Sequence, residues 1–253
     1  SVYIRRLVQP AVSPLENLIA ANAPQENVHT LTFDPKTGAF LVGTNFGIIQ
    51  GAGKHWSRLP NLEGDVTAIL ARENQPLYLA GVGSGLLTLE NGQLHKLVQD
   101  DFTALIADPQ NPNRLLATTK EGLKQSPDGG KTWTKINDQK DLLAVAIDPK
   151  SGRMLAGGVQ GTLWYSDDQG KTWAALAAPG GSITSLLFDP NGRLWMAVGG
   201  QVLYSDQGGM SGQPVRFEGE VRPIVAIAVS PTGSHDLWGV TADGLLRSVP
   251  NNK

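Results

Sequence analysis

Asp65, Asp101 and Asp141 stand 36 and 40 residues apart, and each directly precedes an apolar run, beginning at Val66, Phe102 and Leu142. Carboxylates delivered at one position of a repeating unit converge in space if the units close into a ring, and such an arc of negative charge captures a cation or a basic segment of a partner. Two of them about 5 Å apart, or about 6.5–9.5 Å apart, would have the separation used in retaining or inverting glycoside hydrolysis. The competing reading is local: aspartate ahead of a strand closes a turn through its side-chain oxygen and is solvated. The matching positions elsewhere are Asn27, Ser182 and Pro223, with Asp100, Glu218 and Glu220 nearby.

The elements that position these residues follow from an internal repeat. Six segments align, VHTLTFDP from Val28, VTAILARE from Val66, FTALIADP from Phe102, LLAVAIDP from Leu142, ITSLLFDP from Ile183 and IVAIAVSP from Ile224, at spacings of 38, 36, 40, 41 and 41 residues. A period near 40 is the length of a four-stranded propeller blade. Four first strands end in Asp-Pro (Asp34-Pro35, Asp108-Pro109, Asp148-Pro149, Asp189-Pro190), where proline cannot donate to a ladder and aspartate closes a turn. A second strand follows, then a turn carrying Gly47, Gly85, Gly122, Gly161, Gly200 or Gly244, then a third strand. The expectation is an all-β chain, residues 1–253 forming one six-bladed propeller with blades starting near 28, 66, 102, 142, 183 and 224.

After GLLRSV the sixth unit has four residues left, too few for a fourth strand. Residues 2–8, VYIRRLV, resemble the fourth strands HWSRLP and TWTKIN and have no blade of their own. They are expected to form the outer strand of the last blade, closing the ring and covering a sheet edge. Residues 9–27 are then a connector, in which PLENLIAANAP reads as a short helical turn or irregular lid; a degenerate seventh blade is the alternative.

Two units carry Ser-x-Asp-x-Gly-x-Thr-Trp: SPDGGKTW (Ser126, Asp128, Gly130, Thr132, Trp133) and SDDQGKTW (Ser166, Asp168, Gly170, Thr172, Trp173). An Asp two residues after Ser can accept backbone N–H groups across a tight turn, glycine supplies a left-handed conformation, and Trp covers the hairpin. SDQGG from Ser205 and GAGKHW from Gly51 are degenerate copies. On these motifs the chain resembles the Asp-box, or bacterial-neuraminidase-repeat, propellers found in sialidases, sortilin-type receptors and photosystem II assembly factors. The resemblance implies a propeller whose boxes stabilise turns. A calcium role for the box aspartates would need the six or more oxygens that this ion gathers, which an isolated box lacks. The photosystem factors have seven blades and an arginine patch, whereas this chain reads as six blades with an acidic mouth. The sialidase arginine triad, Tyr–Glu pair and acid Asp are not recognisable.

In a four-stranded antiparallel blade alternate turns emerge on opposite faces. The Asp-Pro turns and boxes therefore share one face, and the strand-two to strand-three turns share the other with the entries into each first strand. Ligands are expected on this entry face, around the central channel. The candidates there are Asp65, Asp101 and Asp141 with Asn45, Phe46, Lys120, Glu121, Gln160 and Asp243, Phe46 being a large apolar residue at a loop tip. Arg114, Arg153 and Arg193 each open a second strand and belong to the opposite face.

Other chemistry finds no motif. The four histidines, His29, His55, His95 and His235, fall at unrelated blade positions, so no metal is expected. GVGSG from Gly81 precedes no helix, so it lacks a phosphate loop's helix N-terminus. No cofactor is expected. There is no cysteine, and 21 basic against 23 acidic residues leave a formal charge of -2, which disfavours nucleic acid and anionic membrane. No apolar run reaches the roughly 20 residues of a membrane span. The expectation is a monomeric, non-catalytic binding or assembly module for a protein or small ligand, with a carbohydrate-active enzyme, a glycoside hydrolase or lyase, as the alternative. An exported bacterial protein is the expected setting, although neither an initiator Met nor a signal-peptide pattern opens the sequence.

Overall fold

A computed structural model gives the structure of residues 14–20, 26–209, 211–215, 222–233 and 235–251. The strands pair into six antiparallel sheets, five of them four-stranded and the last three-stranded among the described residues. Each sheet runs outward in chain order, as in the first, where Val28–Phe33, Phe40–Thr44, Gly47–Ala52 and His55–Arg58 succeed one another. The inner strands are Val28–Phe33, Ala68–Leu70, Ala104–Asp108, Leu142–Ile147, Ile183–Phe188 and Ile224–Val229. Each lies against the next, and the sixth against the first, so the ring closes. The chain is a six-bladed β-propeller.

Its apolar core is divided among six seams. One cluster fills each seam, from Leu41, Ile48, Val66 and Leu79 between blades one and two to Val28, Val42, Ala226 and Val240 between blades six and one. Successive side chains of a strand point to opposite faces, so an inner strand serves two seams at once. In blade four, Val145 and Ile147 pack toward blade three while Ala144 and Ala146 pack toward blade five. Second strands are accordingly buried on both faces, as all five residues of Phe40–Thr44, Met154–Gly158 and Leu194–Val198 are, and they read as unbroken apolar runs. Outer strands such as His55–Arg58, alternately exposed and half-buried, turn one face to water.

Local chemistry fixes the turns of the face opposite the entries, the lower face. In the four Asp-Pro turns the Asp Oδ1 accepts the backbone N–H two residues on, from Lys36, Gln110, Lys150 and Asn191, each at 2.9 Å. The Ser-x-Asp turns are bound more densely. Asp128 Oδ1 accepts the Thr132 N–H at 2.9 Å and the Ser126 hydroxyl at 2.8 Å, while Oδ2 accepts the Thr132 hydroxyl at 2.7 Å. Trp133 Nε1 donates to Gly130 O at 2.9 Å. Asp168 repeats the set with Ser166 and Thr172, and Trp173 Nε1 donates to Gly170 O and, across the seam, to Ile136 O. In the degenerate fifth-blade copy Gln207 stands at the carboxylate position, and Ser205 Oγ still accepts the Gly209 N–H at 3.1 Å.

In blades two and three the inner strands begin at Ala68 and Ala104, two residues into the repeat units that start at Val66 and Phe102. A bulge falls at the second residue of every repeat unit. In four blades the pairing register slips there, as between Val28 and Thr30 or Leu142 and Ala144. In the other two, Thr67 N–H and Thr103 N–H donate to Ala80 O and Thr118 O, carbonyls of the residues that already face Ala68 and Ala104.

A helix, Pro14–Ala20, lies in the connector ahead of blade one, and its Leu15 and Ile19, one turn apart, join the cluster between blades six and one. The outer strand expected over residues 2–8 lies outside the described residues. In the sixth sheet, Leu246–Val249 pairs with Leu237–Thr241 on one side. If residues 1–8 supply the missing strand, their removal exposes that edge: melting temperature falls and self-association appears on size-exclusion chromatography. A truncated chain that stays monomeric and equally stable would assign the closure elsewhere.

The turn bonds carry a pH signature. Hydrogen bonds from the Thr132 backbone and hydroxyl and from Ser126 hold the Asp128 carboxyl at about 2, below its ordinary 3.8, and the Thr172 and Ser166 bonds do the same for Asp168. A depressed folded pKa gives stability that is present above the unfolded value and is lost as pH falls through the folded one. Between pH 4 and pH 2 the parent's melting temperature should fall, and the double variant Asp128→Asn/Asp168→Asn should start lower at neutral pH and lose part of that slope. Parallel curves for parent and variant would show that the boxes contribute nothing to the pH dependence.

Candidate functional site

The inner strands enclose a central channel of about 360 Å³, lined from His29 to Pro231 by the first strands of all six blades. On the entry face the mouth is organised by stitches between each blade's entry and a strand-two to strand-three turn. In blade one, Asn45 Oδ1 accepts the Asn27 N–H at 2.8 Å, and Asn45 N–H donates to Asn27 O at 3.3 Å. Asp101, at the entry to blade three, reaches back to accept the Gly83 N–H of blade two's turn at 2.8 Å. Asp141 holds a left-handed backbone with φ of 55°. Its N–H donates to Lys120 O in the preceding blade, and its carbonyl accepts the Val159 N–H of its own blade.

Asp65 is held differently. Its Oδ1 lies 2.9 Å from His29 Nε2, within ion-pair reach, is shut off from water and makes no hydrogen bond. Its main chain is fixed by close approach, since a Cβ on Gly81 would stand 1.5 Å from Asp65 O; Gly158 meets Asp141 O in the same way at 2.0 Å. Glycine at these ends of second strands is therefore a demand of space.

The His29–Asp65 pair belongs to a recurring device. His29 is the bulged second residue of its inner strand, and the equivalent Thr67 and Thr103 donate from their hydroxyls to Phe102 O at 2.6 Å and Leu142 O at 2.8 Å, each in the next blade. Blades one to four are thus tied in series through side chains at the channel mouth. Sequence comparison of the four histidines overlooked this. The signal was present as His29 standing where three other units have threonine, Thr67, Thr103 and Thr184.

The remaining candidates also lie on this face. Glu121 pairs with Lys140 at 2.9 Å, and the ammonium, by hydrogen bond and charge, holds Glu121 below the usual carboxylate range. Asp243 is engaged by Arg222 and by the Thr241 hydroxyl, and Arg222 also binds Glu16 of the helix at 2.9 Å. Lys120 and Gln160 point into solvent. Asp65, Asp101 and Asp141 share the face, but no hydrogen bond or ion pair joins one to another. Among the described residues no group of three His, Cys, Asp or Glu side chains is placed to hold a metal ion.

Apolar side chains mark the same face. Phe46 is 42% exposed, and Val82 and Val159, in the equivalent turns of blades two and four, are 53% and 52% exposed. With Leu94 at 39% they are the exposed large apolar side chains among the described residues. The opposite face is neutralised locally: Arg153 and Arg193 make two-point pairs with Asp167 and Asp206 and lie over Tyr165 and Tyr204, and Arg114 binds Asp108 at 3.1 Å. A carboxylate-binding arginine triad is not available from them.

By architecture the chain is an all-β propeller of six blades, and among the described residues no helix is long and apolar enough to cross a membrane. Residues 178–200, the entry and first hairpin of blade five, match a family model described as a two component regulator propeller. No curated protein matches the sequence. Among solved structures the chain is similar to a gluconolactonase from Xanthomonas campestris, with 12% identity, a TM-score of 0.75, and 88% of this chain and 86% of that one covered. It is also similar to the extracellular domain of a hybrid two component system from B. thetaiotaomicron, at 16% identity and a TM-score of 0.64, covering 86% of this chain and 33% of that one. A chain of a nidogen/laminin complex gives 11% identity and a TM-score of 0.65, with 80% and 85% covered. Identities this low speak for the fold.

The close approach at Gly81 yields a test. Gly81→Ala should displace the Asp65 segment and destabilise the fold by about 1–3 kcal/mol, as overpacking does. Chemical denaturation checks it, and an unchanged midpoint would mean that the Asp65 carbonyl is not held there.

Proposed function

We propose that the chain is a non-catalytic binding or assembly module that presents its entry face to a partner protein. The observation that carries this reading is the placing of Phe46, Val82 and Val159 in equivalent turns around one mouth. A single exposed apolar residue is ordinary, but three in equivalent turns of one face cost solvation free energy that a partner would recover. Asp65, Asp101 and Asp141 among the turns give the face charge for orientation and for rejecting acidic partners. The likeness to the extracellular domain of a two component system and the resemblance to Asp-box propellers are in keeping with a binding role. The glycosidase alternative asks for two free carboxylates at a defined separation, whereas Asp101 caps a turn and Asp65 carries His29, so no observation favours it.

The triple variant Phe46→Ser/Val82→Ser/Val159→Ser should stay folded and melt a little below the parent, because about half of each side chain is already in solvent. Immobilised on a column, it should retain at least tenfold less of whatever protein the parent retains from an extract of the source cells, while a lower-face control, Lys150→Glu, retains it in full. Equal retention by parent and triple variant would overturn the assignment of this face.

A further inference from the structure

Between blades one and two, beside the channel mouth, lies a cleft of about 300 Å³. Its floor is apolar, from Leu62 in the connector and Leu79 and Leu87 of blade two, and Leu94 stands partly exposed at its lip. Its charged groups are Glu63 and Asp65, and no lysine, arginine or histidine lines it. Glu63 makes no ion pair among the described residues, and Asp65 spends one oxygen on His29. The positions of both are set by the backbone: Gly81 receives the Asp65 carbonyl, and Leu62 is buried beneath the connector.

We infer that this cleft is the socket for a lysine or arginine side chain of the partner that binds the entry face. Such a side chain lays its methylene stem along apolar surface while its charged head stays at a polar rim. Here the floor is leucine and the rim carries two carboxylates. An anionic group would meet Glu63 and Asp65 unfavourably, and a purely apolar group would leave both carboxylates partly desolvated without a counter-charge. The volume stands at the low end of small-ligand sites, which suits one side chain and its neighbours rather than a folded element. This assignment rests on the reading that the entry face binds a protein, and it adds the chemistry of one anchor.

The test uses n-hexylammonium as a stand-in for the lysine side chain, with hexanol and hexanoate as isosteric controls, titrated into the full chain carrying labelled leucine methyl groups. Hexylammonium should shift the methyl resonances of Leu62, Leu79, Leu87 and Leu94 and bind at least fivefold more tightly than hexanol, with hexanoate weakest. Glu63→Gln, a change at an exposed side chain, should remove most of that preference without altering the hexanol titration, and Glu63→Gln/Asp65→Asn should abolish it. Moderate salt should weaken hexylammonium and leave hexanol unchanged. Absent shifts at these methyls, or equal affinity for the cation and the alcohol, would overturn the socket. The two readings fail separately: cation-selective shifts together with undiminished protein retention by the Phe46/Val82/Val159 variant would sink the face and keep the cleft. Loss of retention without shifts would do the reverse.

Discussion

Six sheets can share one axis only if their inner strands approach closely there, and that crowding governs the rest of the molecule. The third residue of each repeat unit is small, Thr30, Ala68, Ala104, Ala144, Ser185 or Ala226. Gly81 and Gly158 yield space to the carbonyls of Asp65 and Asp141. Larger side chains at these positions would force the strands apart, and the leucines and valines that fill each seam would lose contact. The bulge at the second residue answers the same constraint. It breaks the ladder near the start of the inner strand and, in blades one to three, turns His29, Thr67 and Thr103 toward the next blade.

From that crowding follows the division of labour between the faces. The lower face carries turns that close on themselves, through Asp34, Asp108, Asp148 and Asp189, through the Ser-x-Asp turns, and through arginines paired with Asp167 and Asp206. Little charge or apolar surface is left over there for a partner. The entry face is stitched through backbone and short side chains, Asn45 to Asn27 and Asp101 to Gly83, which leaves Phe46, Val82, Val159, Lys120 and Gln160 directed outward.

How much of this could be read in the chain depends on the range of the interaction. The blades were legible because their turn chemistry is local: Asp-Pro at the end of a first strand and glycine after a second recur at a fixed period, and the paired turns form where those residues stand. The bulges were not legible, because a bulge is a property of pairing, which a single strand does not display. The face of each candidate residue followed from topology alone. The engagement of each did not: that Asp101 caps a neighbouring blade, that Asp65 meets His29, and that Leu94 lips a cleft all depend on contacts across seams, between residues some 18 to 36 positions apart or more. His29 was passed over because it was compared with the other histidines instead of with the threonines at its own repeat position.

The series of side-chain ties at the channel mouth is also uneven around the ring. His29 to Asp65, Thr67 to Phe102 and Thr103 to Leu142 join four consecutive blades, but the next residue in the series is Leu143, and the seam it faces is held at the inner strands by apolar packing. The propeller is clasped in two ways: by side chains of the bulged residues over blades one to four, and between blades four and five by close inner-strand packing together with Ser182 Oγ, which donates to Val159 O at 3.1 Å, and Lys150 Nζ, which donates to Asn191 O at 2.7 Å. Val159, exposed in blade four's turn, gives its carbonyl to that second clasp, so a partner that grips it together with Phe46 would span both kinds of fastening.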